Sequence, residues 1–334
     1  MSLLKTIGKT CWSSLSGVLV TVVTVVLFGL LLEGGTRLYY HYESRRFIHP
    51  YLGETNKPHY HASGKTPEGE SFEFTTNNYG FRGDEIPDRK PAGALYVFAL
   101  GGSTTACNEY PSEKTWCGVL QERLRKALGH DRVHVYNTGM GSGTSYRSML
   151  IFLNLVTRLG ADLVIVYEGV NDIGDPRYPS RARYFRDIGN RESFMRRRSY
   201  FLAELAQRTQ NPVVIKLEGL LHGGWQMIRD FSYHEKNYRD IAYLARGYQI
   251  PVMFMTQPVM PQSADTREIN ASTLRLGTKL NVPVFDLAAL MPLDFDHFLP
   301  DGVHYGMQGD QWIGEHLAGW ILEKQVWRQL QGCR

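Results

Sequence analysis

The stretch ALYVFALGGSTTA, residues 94–106, contains the pattern that is most informative about the fold. Its first seven residues are apolar or aromatic, which predicts a buried strand. A glycine pair and Ser103 follow, and a helical pattern begins shortly after them. A strand-turn-helix unit of this kind either binds a phosphate or exposes a serine as a nucleophile. The stretch has neither the lysine of a GxxxxGK[ST] loop nor a GxGxxG spacing, which disfavours the phosphate site.

Short apolar runs alternate with amphipathic stretches along the rest of the chain, which predicts a parallel sheet with helices on its faces. The predicted strands are residues 94–100, 133–137, 162–169, 251–257 and 282–287. The predicted helices are residues 113–128, 145–159, 233–247 and about 308–330. The expected fold class is α/β, a three-layer α/β/α sandwich with a central, mostly parallel five-stranded sheet. Ligands of such sheets bind beyond the carboxyl ends of the strands.

The N-terminal segment contains an uncharged run, residues 10–32, which has about the 20 residues needed to cross a bilayer. Lys5 and Lys9 precede it, and the positive-inside tendency keeps them in the cytoplasm while the remainder is exported. A cleaved signal peptide is the alternative, but its apolar core is usually only ~7 to 15 residues long. We therefore expect a single-pass transmembrane helix at residues 11–32, with the following domain periplasmic or extracellular.

Composition divides the chain into four predicted segments. Residues 1–10 form a short cytoplasmic N-terminus, and residues 11–32 form the anchor. Residues 33–91 are rich in Tyr, His, Gly, Pro and Asn with little periodicity, which predicts a stalk or entry segment. Residues 92–334 contain the alternating strands and helices and form the predicted α/β domain.

The charge balance gives no reason to expect a nucleic-acid partner, since 37 lysines and arginines against 33 acidic residues leave a net charge of only +4. Residues 177–198 are locally basic, with eight arginines against Asp187 and Glu192. A solvated face explains such a run. Contact with anionic lipid headgroups or an acidic polymer is the alternative.

Two of the four cysteines, Cys107 and Cys117, follow Ser103 closely. In an exported domain they are candidate disulfide partners, and two unpaired small apolar residues are the alternative. No spacing of cysteines and histidines indicates a zinc site. We therefore expect no metal and no cofactor.

A late motif, FLPDGVHYG at residues 298–306, supplies a base for the candidate nucleophile. Asp301 and His304 stand three residues apart, just before the final predicted helix. That spacing lets the carboxylate orient one imidazole nitrogen while the other accepts the proton of Ser103.

A third motif, EGVNDI at residues 168–173, follows the most hydrophobic predicted strand. Asn171 at this position can aim its amide at an oxyanion. Asn171 and Asp172 alone would indicate a polar turn. Together with Ser103 and His304 they indicate a site for acyl transfer.

These motifs resemble the SGNH, or GDSL-type, hydrolase superfamily, in the membrane-anchored branch that carries GGST in place of GDSL. The resemblance extends from about residue 77 to the C-terminus, and the stretch NNYGFRG, residues 77–83, is similar to anchored members. It implies a flavodoxin-like SGNH hydrolase fold. It also implies a Ser-His-Asp triad of Ser103, His304 and Asp301, with Asn171 as an oxyanion donor.

The second block of the superfamily has the pattern N-x-G-x-x-G-x-T, whose last glycine donates a backbone N–H to the oxyanion. Aligning Asn137 with its first residue places Ser142 at that glycine, with Gly143 next to it. The resemblance therefore assigns the oxyanion to the N–H groups of Ser103 and of Ser142 or Gly143, and to Asn171. By position, Gln257 and Asp172 are expected to contact the substrate.

The resemblance implies a serine esterase that forms an acyl-enzyme and removes O-acetyl or similar groups from a carbohydrate or envelope glycan. The same triad also serves an O-acetyltransferase, in which a sugar hydroxyl replaces water. A scaffold that has lost its activity and only binds ligands is a third alternative. The expected partners are an acylated carbohydrate or another ester and the lipid bilayer, while the sequence does not indicate an oligomeric state.

Overall fold

The computed structural model describes residues 2–42, 46–49, 51–173 and 232–326. The chain divides into two compact units, of which the first contains helix α1 (Ser2–Tyr42) and the second begins at residue 45. The arginine-rich segment, residues 177–198, lies outside the described residues.

Helix α1 contains the one span in the described part of the chain that is long and apolar enough to cross a membrane. This span is Gly17–Tyr39, with 23 residues and a mean hydropathy of 2.3. It begins and ends later than the expected anchor at residues 11–32. A signal sequence near the N-terminus meets the same criterion.

The segment expected to be a stalk, residues 33–91, passes from the first unit into the second at residue 45. It forms two antiparallel hairpins: β1 (Arg46–His49) with β2 (Gly53–Asn56), and β3 (His61–Lys65) with β4 (Ser71–Thr75). Phe74, Phe81 and Ile86 are at most 4% exposed. Apolar side chains too widely spaced to form a periodic pattern thus pack into the core on the N-terminal side of the predicted boundary at residue 92.

The central sheet contains β5 (Leu95–Gly101), β6 (Val133–Asn137), β7 (Leu163–Tyr167), β8 (Val252–Met255) and β9 (Val284–Phe285). Its spatial order is β6-β5-β7-β8-β9, and every neighbouring pair is parallel. Counted along the chain this order is 2-1-3-4-5, which is that of flavodoxin-like sheets. The five predicted strands and the predicted fold class are confirmed.

Helices cover both faces of this sheet. They are α2 (Ser103–Ala106), α3 (Trp116–Leu128), α4 (Ser145–Asn154), α5 (Ser232–Gly247), α6 (Ala264–Leu280), α7 (Leu287–Leu290) and α8 (Met307–Glu323). Val97 and Ala99 of β5 pack in the same apolar cluster as residues of α3 and α8, while Phe98 and Leu100 pack with α4, α5 and α6. Successive residues of β5 thus face opposite layers. The direction of chain winding reverses at β5, so the crevice for a ligand opens beyond the carboxyl ends of β5 and β7.

Candidate active site

Ser103 begins the one-turn helix α2 directly after β5, where it is partly exposed. Gly102 precedes it in a space that admits no side chain. A Cβ on Gly102 would lie 2.8 Å from Asn171 Nδ2 and 3.0 Å from the carbonyl oxygen of Gly143. The segments that contain Ser103, Gly143 and Asn171 therefore meet at Gly102, next to the candidate nucleophile.

Asn171 lies in a 3-10 turn, Val170–Asp172, that follows β7. Its Nδ2 donates a hydrogen bond to the carbonyl oxygen of Gly143 at 2.8 Å. A primary amide carries two hydrogens, so one remains for an oxyanion.

The turn at Ser142 and Gly143 distinguishes the two backbone donors that the sequence left open. Ser142 has a φ of 62°, in the left-handed region that favours glycine, which explains why the superfamily has glycine there. The N–H of Gly143 already donates to the carbonyl oxygen of Met140 at 2.8 Å. The N–H of Ser142 has no acceptor among the described residues. Ser142 is therefore the better candidate donor of the two.

Asp301 and His304 form a hydrogen-bonded pair, with Oδ2 2.6 Å from Nδ1. Oδ1 accepts the backbone N–H groups of Val303 and His304, both at 2.9 Å. Burial alone would raise the pKa of Asp301, but these hydrogen bonds outweigh it and lower the pKa below its usual value. Asp301 is therefore ionised at neutral pH and holds the Nδ1 proton, which leaves Nε2 to accept another.

The loop that carries His304 is attached to the carboxyl ends of the strands. The hydroxyl of the next residue, Tyr305, hydrogen-bonds to the hydroxyl of Tyr167, and Tyr167 pairs in register with Gly101. His304 thus lies at the same edge of the sheet as Ser103. The described contacts include no hydrogen bond between Ser103 and His304. In unliganded active sites such bonds are often long and tighten when the substrate binds.

Asp172, which was expected to contact the substrate, is buried and bonded within the protein. Its Oδ1 accepts the N–H of Ser145 at 3.1 Å, and its Oδ2 lies 2.8 Å from His234 Nδ1. His234 Nε2 in turn contacts the hydroxyl of Thr273 at 2.9 Å. Because both carboxylate oxygens are engaged, Asp172 holds the turn of Asn171 in place rather than facing a substrate.

Gln257 also has partners within the protein rather than a face towards a substrate. It is 4% exposed. Its Nε2 donates to Thr104 Oγ1 at 3.1 Å, and its Oε1 accepts the N–H of Val170 at 2.8 Å. Gln257 therefore connects the residue after Ser103 to the residue before Asn171.

Glu168 is a candidate that the sequence analysis missed. It follows β7 directly, and its Oε1 accepts a hydrogen bond from Ser148 Oγ at 2.6 Å. A Cβ on Gly102 would lie 3.3 Å from its Oε2. Burial, reinforced by the charge of Asp172, raises the pKa of Glu168 to about 8. A carboxyl group whose pKa is raised by its surroundings therefore lies beside the turn that presents Ser103. An acidic residue directly after an entirely apolar strand is the sequence signal that could have identified it.

Of the two alternatives for Cys107 and Cys117, the candidate disulfide is not formed, and both are buried free thiols. The Sγ of Cys107 hydrogen-bonds instead to the carbonyl oxygen of Thr104 and to Asp310 Oδ1, each at 3.2 Å. Burial raises the pKa of both thiols, which keeps them protonated.

The described residues supply the parts of an acyl-transfer site: a serine hydroxyl, an imidazole oriented by a carboxylate, and amide donors for an oxyanion. Such a set can form and hydrolyse an acyl-enzyme. Within the described ranges, no group of three or more His, Cys, Asp or Glu side chains could hold a metal ion.

Replacement of Asn171 by alanine is expected to lower kcat for ester hydrolysis about 100- to 1000-fold, because one oxyanion donor is lost. The matched control is Asn154→Ala, which removes a comparable 2.9 Å bond from an Asn Nδ2 to the carbonyl oxygen of Leu150. We expect the control to keep its kcat. Steady-state kinetics on both variants, with thermal unfolding to verify their folding, makes the comparison. Equal kcat values for the two variants would contradict the donor role of Asn171.

Asp310 is expected to make the protein less stable as the pH rises. Burial raises its pKa to about 8, and its Oδ2 has no partner among the described residues. An unfolded aspartate has a pKa of about 3.9, so between about pH 4 and 8 only the unfolded state releases this proton. The free energy of unfolding therefore falls with pH, by at most about 1.4 kcal/mol per pH unit, and levels off above about pH 8.

The variant Asp310→Asn removes this contribution, and its stability relative to the unmodified protein should increase from pH 5 to pH 8. Urea unfolding at both pH values measures the difference. The remaining pH dependence should reflect Glu168, whose pKa is raised in the same direction. An unchanged pH slope in the variant would mean that Asp310 is already ionised in the folded protein.

Comparison with known proteins assigns this chain to a family. The profile of the GDSL-like Lipase/Acylhydrolase family matches residues 99–312, which is more than half of the chain. A search of curated proteins finds no match. Among solved structures, a lipase/acylhydrolase from Enterococcus faecalis is 16% identical, with 69% of this chain and 96% of that chain covered and a TM-score of 0.46.

Two esterases are also among the similar structures. A catalytic mutant of an acetylxylan esterase from Geobacillus stearothermophilus is 12% identical, with 69% of this chain and 94% of that chain covered and a TM-score of 0.45. The psychrotrophic esterase EstA from Pseudoalteromonas sp. is 12% identical, with coverages of 68% and 97% and a TM-score of 0.46. On the evidence of the profile match, this chain belongs to the GDSL-like lipase/acylhydrolase family.

Proposed function

We propose that the protein is a membrane-anchored serine esterase of the GGST-containing branch, which removes O-acetyl or similar acyl groups from a carbohydrate outside the cytoplasm. The arrangement around Gly102 supports this proposal most directly. The amide of Asn171 and the carbonyl of Gly143 both lie within 3.0 Å of a Cβ built on the residue before Ser103. The amide donor of Asn171 therefore lies next to the turn that presents Ser103, where a donor to an oxyanion is needed.

In the proposed reaction, Ser103 Oγ attacks the ester carbonyl carbon while His304 Nε2 takes the hydroxyl proton. The N–H groups of Ser103 and Ser142 and the amide of Asn171 donate to the resulting oxyanion. Collapse of this intermediate breaks the ester bond, and the leaving alcohol takes the proton from His304. Water then attacks the acyl-enzyme by the same steps, which releases the acid and restores Ser103.

The anchor and its orientation rest on the N-terminal segment. Gly17–Tyr39 has the length and hydropathy of a membrane span, and Lys5 and Lys9 precede it. Positive residues before a first span favour a cytoplasmic N-terminus. The domain that begins at residue 45 would then lie in the periplasm or outside the cell, where envelope glycans are found.

A fluorophosphonate probe tests the nucleophile directly. The full-length protein, solubilised in detergent, is incubated with the probe, and the labelled peptide is identified by mass spectrometry. Labelling at Ser103 is expected. An intact protein that hydrolyses no acetyl ester and takes up no probe would instead be a binding protein on an inactive scaffold.

The acceptor of the acyl group is tested with a radiolabelled acetyl donor, with and without a polysaccharide acceptor. Release of labelled acetate in both reactions supports the esterase. Transfer of the label to the polysaccharide would instead identify an O-acetyltransferase, since a sugar hydroxyl can replace water at the same acyl-enzyme.

A further inference from the structure

The loop NNYGFRG, residues 77–83, contains several hydrogen-bonded backbone groups and lies outside the segment that matches the family profile. Asn77 Oδ1 accepts the N–H groups of Tyr79 and Phe81 at 2.9 and 3.0 Å. Gly80 has a φ of 76°, and a Cβ there would lie 2.2 Å from the carbonyl oxygen of Asn56. These constraints give Arg82, two residues after Gly80, a defined backbone position.

Arg82 is a buried cation whose side chain points into the protein, since the residue is only 2% exposed. Its backbone pairs with Asn137 through two hydrogen bonds, of 3.0 and 2.9 Å. Its Nη1 donates to the carbonyl oxygens of Ala106 and Cys107, at 2.8 and 2.5 Å, and its Nη2 donates to that of Tyr110 at 2.5 Å. The guanidinium group therefore faces three backbone carbonyls rather than a carboxylate.

Those carbonyls include the carboxyl end of α2, the helix that starts with Ser103. A helix of four residues is too short to be stable by itself, so its position depends on partners elsewhere in the chain. Asn137 Nδ2 donates to the carbonyl oxygen of Thr105, and Arg82 donates to those of Ala106 and Cys107. A positive charge at the carboxyl end of a helix also complements the partial negative charge of its free carbonyls.

We propose that Arg82 is a positioning residue for Ser103: its guanidinium group holds the carboxyl end of α2 and thereby places the nucleophile. This inference rests on the proposed function, in which Ser103 attacks the ester. Without the guanidinium group, the carbonyl oxygen of Ala106 loses its donor and that of Cys107 keeps only the N–H of Tyr110, at 3.4 Å, so the turn can relax. Because Arg82 does not touch the substrate, its loss should lower kcat much more than it changes KM.

The variants Arg82→Gln and Arg82→Lys test this role, with Leu280→Ala as the control. Leu280 is a buried residue at the carboxyl end of α6, so the control destabilises the core without touching α2. Each full-length protein is assayed for kcat, KM, thermal unfolding and the rate at which fluorophosphonate labels Ser103. In Arg82→Gln, kcat and the labelling rate should both fall about 100-fold, the loss expected from a small misplacement of a reacting group.

Arg82→Lys keeps the positive charge but not the planar guanidinium group with its several N–H donors. It should therefore recover part of kcat and part of the labelling rate. Leu280→Ala should label at the rate of the unmodified protein despite its lower thermal stability. The proposal is overturned if the folded variants label Ser103 as fast as the unmodified protein. This comparison uses Arg82→Lys, and also Arg82→Gln if that variant folds. A failure of the unmodified protein itself to label at Ser103 would overturn the proposed function instead.

Discussion

The variant Ser103→Ala is expected to lose ester hydrolysis almost entirely, with kcat lower by roughly 10⁶-fold, as for the removal of a nucleophile from other serine hydrolases. The acyl-enzyme cannot form without Oγ, so the fluorophosphonate label should also disappear. Folding should be unaffected, because Oγ has no hydrogen-bond partner among the described residues. Steady-state kinetics, intact-protein mass spectrometry and thermal unfolding measure the three effects.

Ser112→Ala is the matched control for this variant. Ser112 begins the 3-10 turn Ser112–Lys114, shortly after α2, and it is also partly exposed. The control should keep both its activity and its label. Normal turnover by Ser103→Ala would disprove the nucleophile assignment, whatever the control does.

The variant His304→Ala is expected to lose a comparable activity, on the order of 10⁶-fold in kcat, because the base and the nucleophile act as a unit. The chain provides a close control in His297. His297 Nδ1 lies 2.6 Å from Asp294 Oδ1, which is the same spacing and distance as in the pair of His304 with Asp301. His297→Ala should retain nearly all of its activity.

We expect this difference because a contact of the residue next to His304 places that histidine near Ser103. The residue after His304 is bonded to Tyr167 at the end of β7, beside the strand that leads to Ser103. The side chain of His297 is 16% exposed against 27% for His304. Steady-state kinetics of the two alanine variants over the same pH range shows which of the two histidines is the general base. If His297→Ala is the inactive one, the base has been assigned to the wrong Asp-His pair.

The regular elements of the α/β core were predictable from the sequence. β6 has the predicted bounds, and β5 and β7 differ from theirs by one or two residues at each end. Buried parallel strands are nearly continuous apolar runs, which makes them visible in a single sequence. The hairpins of residues 46–75 were not predicted, because strands such as HASGK have one exposed face and almost no apolar alternation.

The supporting residues of the site were less accessible to prediction. Arg82, Glu168 and Asp310 are charged types that usually lie at the surface, and each is at most 3% exposed. Their burial depends on partners far away in sequence, such as the carbonyl of Tyr110 for Arg82 and the thiol of Cys107 for Asp310. A pattern of neighbouring residues contains no information about such contacts.

The amino-acid sequence alone was enough to predict the parallel sheet, the order of strands and helices, and the residue types that can perform acyl transfer. Hydrophobic periodicity and short motifs are local properties of the chain, so they can be read without the folded structure. Which of these residues contact one another depends on the tertiary structure. It brings Asn171 and Gly143 to Gly102, leaves Cys107 a free thiol, and turns Gln257 towards Thr104. These outcomes depend on the close packing of segments that are distant in sequence, where most buried polar atoms are hydrogen-bonded.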